Sequence, residues 1–226
     1  MPKKSDYSIA MNSISSQNSS DYYLPSCFWA PIQYFTKVLQ AKKIILEQHE
    51  NYVKQTYRNR CNIFTANGAM TLSVPVEKRH GEKTPIRDVR IDYSEHWQHT
   101  HWKALVAAYN SSPFFDYYIC DLRPIYEHKE VFLFDLNEKT LRIALELIGL
   151  KTDIGYTDRF EQHYPCNDFR QSISPKTKGT DKTFKPQNYY QVFSPRHGFA
   201  ANLSILDLLC NEGPNSISVL QSCITG

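Results

Sequence analysis

Many polar and ionisable side chains lie close together between Glu47 and Gly68, in the stretch EQHENYVKQTYRNRCNIFTANG. Glu47 and His49 are two positions apart, so on an extended strand both side chains would lie on the same face. A carboxylate beside an imidazole raises the pKa of the imidazole and favours the acceptance of a proton. The pair therefore predicts general-base chemistry at the end of a strand.

Two arginines in the same stretch predict an anion-binding surface. Arg58 and Arg60 would share a face of a strand, and guanidinium groups bind phosphate or carboxylate through paired hydrogen bonds. We expect Asn59 to fix the orientation of the ligand and Tyr52 to line the same pocket. The alternative is that these side chains only bridge the hairpin to its neighbours through ion pairs.

The motif HWQHTHW contains three histidines within one predicted helix. His96 and His99 are one turn apart, a spacing that can ligate a metal. Helical metal sites of this type usually carry an acid at a fixed spacing, as in HExxH, and none is present here. We therefore expect no metal, and Trp97, His101 and Leu105 should pack against the sheet, with His101 as a second candidate base.

Asp207 lies within the apolar stretch LSILDLLCNEGP, and Asn211 lies one turn further on the same face. A buried carboxylate needs partners or must be neutralised. Arg58 or Arg60 would be natural partners, which would bring both ends of the chain to one cleft. The alternative is that Asp207 has a purely architectural role.

The elements that must position these residues are strands first and helices after. The sequence predicts a strand in LPSCFWAP, a helix in PIQYFTKVLQAK and a strand in KKIILEQ. RCNIFTANGAMTLSVPV predicts a hairpin whose Asn67-Gly68 pair tolerates the positive φ of a type I′ turn. IRDVRIDY alternates like a half-buried strand. The fold class is therefore a mixed α/β domain with an early strand-helix-strand unit and a hairpin, packed by helices of the second half.

The second half is predicted to be mainly helical. One helix should follow a Ser94 cap, and one or two more should lie between Phe114 and Glu127. A helix capped by Asp135 or Asn137 should end at Gly149. TDIGYT and YYQVF are predicted strands, and NLSILDLLCNEG a short helix.

The domain organisation follows from composition along the chain. Residues 1–22 are rich in Ser, Asn and Lys and predict a disordered arm. We expect residues 23–226 to form a single domain, with a flexible loop near 175–187, where the sequence is polar and broken by Pro and Gly.

The totals exclude several classes of protein. The net charge of +3 is scattered, with no dense Lys/Arg block, so no nucleic-acid partner is expected. No apolar run approaches the roughly 18 residues needed to cross a bilayer, and no secretory core is present. We therefore expect no membrane association and a cytoplasmic location. The fifteen Tyr and twelve Phe predict a well-filled core or stacking surfaces for a sugar or base.

The cysteines and glycines argue against a bound cofactor. The six cysteines are widely separated with no CxxC pair, which predicts buried thiols in a reducing compartment. Only eight glycines are present, with no GxGxxG and no Walker loop, so no nucleotide cofactor is expected.

Several stretches taken together resemble the WbqC-like protein family, in the form common among Bacteroidetes. They are PIQYFTKV, EQHENYVKQTYRNRCNI, LSVPVEK, HWKALVAAYNSSPFFDYY, FLFDLN, YYQVFSPRHGF and LSILDLLCNEGP, in the order of the family. The resemblance implies a place among surface-polysaccharide and O-antigen genes. It further implies acyl or aminoacyl transfer to an amino sugar carried on a nucleotide.

One departure from the family pattern bears on the chemistry. Many relatives have a His-Gln-Pro motif at the end of the first strand, and this chain has LPSCFWAP, with Ser26 or Cys27 near that position. A catalytic role for that histidine in relatives would leave this chain with different chemistry or none.

Two hypotheses follow. The first is a transferase acting on a nucleotide-sugar or another small molecule, and the second is a non-catalytic ligand-binding or scaffold protein of open oligomeric state. For the first, the catalytic candidates are Glu47, His49, His101 and Asp207, and the ligand-binding candidates are Tyr52, Arg58, Asn59, Arg60, Tyr190, Gln191 and Asn211.

Overall fold

A computed structural model describes residues 20–77, 83–176 and 181–225. In chain order the elements are β1 (Asp21–Pro25), α1 (Ile32–Gln40), β2 (Lys43–Glu47), β3 (Arg60–Thr65), β4 (Gly68–Ser73), α2 (Trp97–Tyr109), α3 (Phe115–Leu122), α4 (Pro124–Glu127), α5 (Leu133–Ile148), β5 (Asp153–Tyr156), α6 (Ser194–His197), α7 (Ile205–Glu212) and α8 (Ser216–Ser222). This order confirms the predicted mixed α/β class.

A parallel sheet with the order β1-β2-β5 organises the site. Leu24 pairs with Leu46, and Leu46 pairs with Tyr156, so the three strands end at one edge. The early strand-helix-strand unit is confirmed, because α1 connects β1 to its parallel neighbour β2. The first strand lies earlier than predicted, since β1 overlaps LPSCFWAP only at Leu24 and Pro25. On the other side of β1, Tyr23 forms a parallel bridge with Asp168, which brings the segment around residue 168 to the same edge.

The predicted hairpin is present, but its turn is not of type I′. The pairing of Thr65 with Gly68 leaves Ala66 and Asn67 as the central residues. Neither has a positive φ, whereas Gly68 has φ +97°. A type I′ turn needs positive φ at both central residues, so the glycine absorbs the left-handed conformation one position later.

The helices end largely where predicted, but two of them begin elsewhere. Gly149, with φ +80°, closes α5 as expected. The predicted caps Asp135 and Asn137 lie inside α5, because the helix already begins after Phe132. Likewise α2 begins after His96 and not at Ser94, whose backbone N–H instead donates to Asp92.

Two predicted strands are not formed. IRDVRIDY contains a 3-10 turn at Ile86–Asp88 and only isolated bridges, such as that of Arg90 with Phe132. YYQVF is irregular and leads into α6. In both stretches the alternation of side chains lacks a neighbouring strand over enough length to build a ladder.

The C-terminal helices belong to the same hydrophobic core as the sheet. Ser204 caps α7 by accepting from the Leu206 N–H, and its hydroxyl donates to the Trp29 carbonyl. Leu206 and Leu208 are fully buried. The end of the chain is therefore packed against the loop that follows β1.

The structure describes only part of the predicted N-terminal arm and of the predicted loop near 175–187. β1 begins at Asp21, two residues inside the predicted arm, and residues 1–19 lie outside the described residues. Of the loop near 175–187, residues 177–180 also lie outside, while Asp181 accepts from Lys37 and Phe184 bridges Ile224. No helix in the described ranges has the length and apolar character that a bilayer crossing requires.

Candidate functional site

Glu47 ends β2 at the carboxyl edge of the parallel sheet and is fully buried. Its Oε2 accepts a hydrogen bond from Arg170 Nη1 at 2.7 Å. Its Oε1 accepts from the Thr157 hydroxyl at 2.9 Å and from the backbone N–H of His49 at 2.8 Å. The carboxylate therefore holds the His49 backbone and not, as predicted, the imidazole.

Arg170 is a site residue that sequence reasoning missed. Besides Glu47 it binds Asp168, with Nε 2.8 Å from Oδ1 and Nη2 2.7 Å from Oδ2. Burial alone would raise the pKa of Asp168, but the hydrogen bonds from Arg170 reverse this and lower it. The nearby Asp168 does not reveal that Arg170 also reaches Glu47, because Glu47 is 123 positions away in the chain.

Arg58 lies just before β3 and is neutralised by Glu50. Its Nε donates to Glu50 Oε1 at 2.7 Å and its Nη2 contacts Oε2 at 2.5 Å, with both side chains buried. This bidentate pair leaves Arg58 with little charge to offer a ligand, which favours the predicted ion-pair alternative for this residue. The neighbouring Cys27 is buried, and desolvation raises the pKa of its thiol to about 12, so it is no thiolate nucleophile.

Arg60 differs from Arg58 because it pairs with no carboxylate among the described residues. It is half-buried at the start of β3, and its Nε has no hydrogen-bond partner. Tyr52 lies beside it: burial raises the pKa of the Tyr52 hydroxyl, and the charges of Arg60 and Arg58 oppose that shift. Asn59 donates to the Val74 carbonyl at 2.9 Å, and its Oδ1 has no partner.

The imidazole of His49 is held in one tautomer. Its Nε2 lies 3.0 Å from the carbonyl oxygen of Thr157. Because a carbonyl only accepts, Nε2 must carry a proton, so in the neutral imidazole the lone pair is on Nδ1. His49 is half-buried, and Nδ1 has no hydrogen bond to the described part of the chain. This is the arrangement that a general base needs.

His101 lies in a closed aromatic environment. Its ring centroid is 5.0 Å from that of Trp97, 6.0 Å from Phe28 and 6.4 Å from Tyr126. Burial lowers the pKa of His101 to about 4, opposed by a hydrogen bond to the Ser73 backbone. The ring is therefore neutral and packed against the sheet, as the alternative interpretation of HWQHTHW predicted.

Asp207 lies in the first turn of α7 and pairs with neither Arg58 nor Arg60, so that prediction is wrong. Its Oδ1 accepts from the Tyr109 hydroxyl at 3.0 Å, and its Oδ2 from the Tyr189 hydroxyl at 2.6 Å. Burial raises the pKa of Asp207 to about 6, although these hydrogen bonds oppose the shift. The physical reason for the correction is that Arg58 already has its own buried carboxylate.

Two of the remaining predicted residues, Gln191 and Asn211, contact Asp207 and not the sheet edge. Gln191 Nε2 donates to Asp207 Oδ2 at 3.1 Å, and Asn211 Nδ2 donates to the Asp207 carbonyl at 2.8 Å. Tyr190 is 54% exposed. The structure thus separates the predicted residues into two groups. We call Glu47, His49, Tyr52, Arg58, Asn59 and Arg60 the edge site, because they lie between the end of β2 and the start of β3. The Asp207 group contains Asp207, Gln191 and Asn211. Tyr190, whose backbone N–H donates to Glu212, and His101 belong to neither group.

A cavity of about 480 Å³ lies at the opposite, amino edge of the sheet. It is lined by Lys42, Arg142, Leu145, Glu146, Leu150, Lys151, Thr152, Asp153 and Ile154, none of them a predicted site residue. Within the described ranges, no group of three or more His, Cys, Asp or Glu side chains is arranged to hold a metal ion.

Comparison with known proteins gives a family and one curated relative. The family model described as "WbqC-like protein family" matches residues 22–181. The chain is also similar to "Uncharacterized protein Rv1507c" of Mycobacterium tuberculosis, with 26% identity over 217 residues, covering 84% of this chain and 92% of the relative. No solved structure matches the chain.

Proposed function

Because the chain belongs to the WbqC-like protein family, we propose that it is a cytoplasmic transferase acting in the biosynthesis of surface polysaccharide such as O-antigen. Its substrate is an amino sugar linked to a nucleotide, and the group transferred is an acyl or aminoacyl group. The observation that carries the proposal is His49, whose imidazole has one nitrogen fixed and the other unengaged at the carboxyl edge of a parallel sheet. Ligands of open α/β sheets bind at this edge.

In this proposal His49 is the catalytic base. The amine nitrogen of the sugar attacks the carbonyl carbon of an activated acyl donor, such as a thioester or acyl phosphate. A carbon–nitrogen bond forms, the bond to the leaving group breaks, and the amine proton passes to His49 Nδ1. Glu47 acts as a positioning residue, because it binds the His49 backbone N–H at 2.8 Å.

Arg60 binds the diphosphate of the nucleotide. It is the arginine of the edge site whose charge no described carboxylate compensates. Tyr52, whose pKa is raised by burial against the opposing charge of the nearby Arg60, contributes a hydroxyl donor to the same phosphate. Arg58 and Arg170 keep their carboxylates and shape the edge site without binding the ligand.

A second candidate is a non-catalytic ligand-binding or scaffold protein. It is favoured by the saturation of the edge-site charges, since Arg58 is paired with Glu50, and Arg170 with Glu47 and Asp168. A protein that only binds a nucleotide-sugar needs Arg60 and has no use for the free nitrogen of His49.

The test is calorimetric titration with a panel of nucleotide-linked amino sugars, followed by incubation with acyl thioesters and mass spectrometry of the sugar. We expect Arg60→Ala to weaken binding about tenfold or more, the loss of a charged hydrogen bond. The exposed Arg123→Ala is the matched control and should bind normally.

His49→Ala should keep binding within about twofold, since a base contributes mainly to the transition state, and should lose turnover by about 100-fold or more. Absence of binding to every nucleotide-sugar in the wild type refutes the transferase proposal. Binding without turnover in the wild type would instead support the second candidate.

A further inference from the structure

An exposed aromatic ring borders the edge site, and the proposed chemistry does not yet use it. Phe160 is 51% exposed and does not belong to the hydrophobic core. It lies three residues after Thr157, whose carbonyl fixes the His49 imidazole. The exposed half of the ring leaves apolar surface available to a ligand that binds beside His49.

The position of the Phe160 ring is set by Arg170. The guanidinium carbon of Arg170 lies 5.7 Å from the centroid of Phe160 and 4.5 Å from that of Tyr164. Arg170 also binds Glu47 at 2.7 Å, and Glu47 binds the His49 backbone. A continuous set of contacts therefore links the exposed ring to the candidate base.

We propose that Phe160 is a stacking platform for the sugar ring of the substrate. The claim rests on the proposed function and names the residue that recognises the sugar within it. The Arg170 charge next to the ring is more than offset by the two carboxylates of Glu47 and Asp168, so this surface offers an apolar face and no positive charge to a phosphate. A pyranose presents a face of C–H groups that matches a phenyl ring. The diphosphate belongs with Arg60 instead.

The experiment compares wild type, Phe160→Ala and Phe160→Trp in calorimetric titrations with a nucleotide-sugar and with the same nucleoside diphosphate lacking the sugar. Losing a contact over roughly 50 Å² of apolar surface should weaken nucleotide-sugar binding about five- to tenfold in Phe160→Ala. Binding of the bare diphosphate should stay within about twofold, and Phe160→Trp should keep wild-type affinity for both. Tyr117→Ala, which removes a ring that is 77% exposed on α3, is the matched control and should change neither.

Three outcomes would overturn the inference. If Phe160→Ala binds the nucleotide-sugar with unchanged affinity, Phe160 is not a stacking platform, and the proposed function is unaffected. An equal loss for the bare diphosphate assigns the ring to the nucleobase. A second experiment tests sugar binding without the nucleotide. Saturation-transfer NMR with free N-acetylglucosamine should give a signal in wild type, and Phe160→Ala should lose that signal. Absence of that signal in wild type, together with no calorimetric binding, ends both proposals.

Discussion

Glu47 and Asp207 are both buried carboxylates, but their neighbours differ in charge. Glu47 faces the Arg170 guanidinium at 2.7 Å. Asp207 faces the neutral hydroxyls of Tyr109 and Tyr189 and the Gln191 amide. Without a cation, desolvation prevails, and the pKa of Asp207 rises to about 6. Glu47 is therefore one partner of a buried ion pair, while Asp207 has a pKa within the range of ordinary buffers.

The raised pKa of Asp207 predicts a specific pH dependence of stability. A folded-state pKa of about 6, above the ordinary value of 3.8, means that the folded protein binds the proton more tightly than the unfolded chain does. The contribution of Asp207 to stability is full below about pH 4 and falls as the pH rises towards 6, by an amount on the order of 3 kcal/mol. In Asp207→Asn, which does not titrate, urea unfolding between pH 4 and 7 should lack this fall relative to wild type. Parallel pH profiles for the two proteins would contradict the raised pKa.

The pH dependence of stability that His101 contributes should have the opposite sign. Its folded-state pKa of about 4 lies below the ordinary value of 6.5, because the buried ring resists protonation. Its contribution is full above pH 6.5 and is lost as the pH falls towards 4. His101→Phe should therefore lose less stability than wild type on acidification from pH 7 to 5, measured by urea unfolding. His99 is exposed, so His99→Phe is the control. A pH profile of stability for His101→Phe that matches the one for His99→Phe would contradict the lowered pKa of His101.

At the scale of helices and strands, the sequence predicts those features that are determined by residues close together in the chain. The β1-α1-β2 unit, the hairpin and the end of α5 at Gly149 follow from local patterns. The start of α5 at Leu133 does not, because Phe132 is held instead by its bridge to Arg90. The same limit applies to IRDVRIDY, whose alternation resembles a strand but whose partners provide only isolated bridges.

The hairpin turn gives a test at this scale. Gly68 has φ +97° and Asn67 has no positive φ, so only Gly68 occupies a conformation unfavourable for a side chain. We expect Gly68→Ala to destabilise the protein by about 1 kcal/mol and Asn67→Ala by less than about 0.5 kcal/mol. Equilibrium urea unfolding measures both. A larger loss of stability in Asn67→Ala than in Gly68→Ala would contradict this and support a type I′ turn.

At the scale of the whole molecule, buried ion pairs connect segments that are far apart in the chain. Lys37 on α1 binds Asp181 at 2.7 Å, and both side chains are almost fully buried. Arg170 reaches Glu47 across the edge of β1. No periodicity within a segment specifies such partners, which is why the sequence predicted polar contacts at the edge site but assigned Asp207 to the wrong group.

The Lys37–Asp181 pair should stabilise the fold without serving the edge site. Lys37→Met leaves the Asp181 carboxylate buried without its cation and should cost about 3–5 kcal/mol in urea unfolding. The double variant Lys37→Met with Asp181→Leu removes the unpaired charge and should recover most of that loss. Ligand affinity of the folded double variant should equal wild type. A loss below about 1 kcal/mol in the single variant would show that the pair is not buried in solution.

The location of ligand binding is the most direct test of the account. Backbone amide spectra of the ¹⁵N-labelled protein should be recorded during titration with a nucleotide-linked amino sugar. We expect shifts concentrated at the edge site and beside it, at His49, Tyr52, Arg60, Thr157 and Phe160. Shifts concentrated around Asp207 and Tyr190, or around the cavity near Lys42, would contradict it.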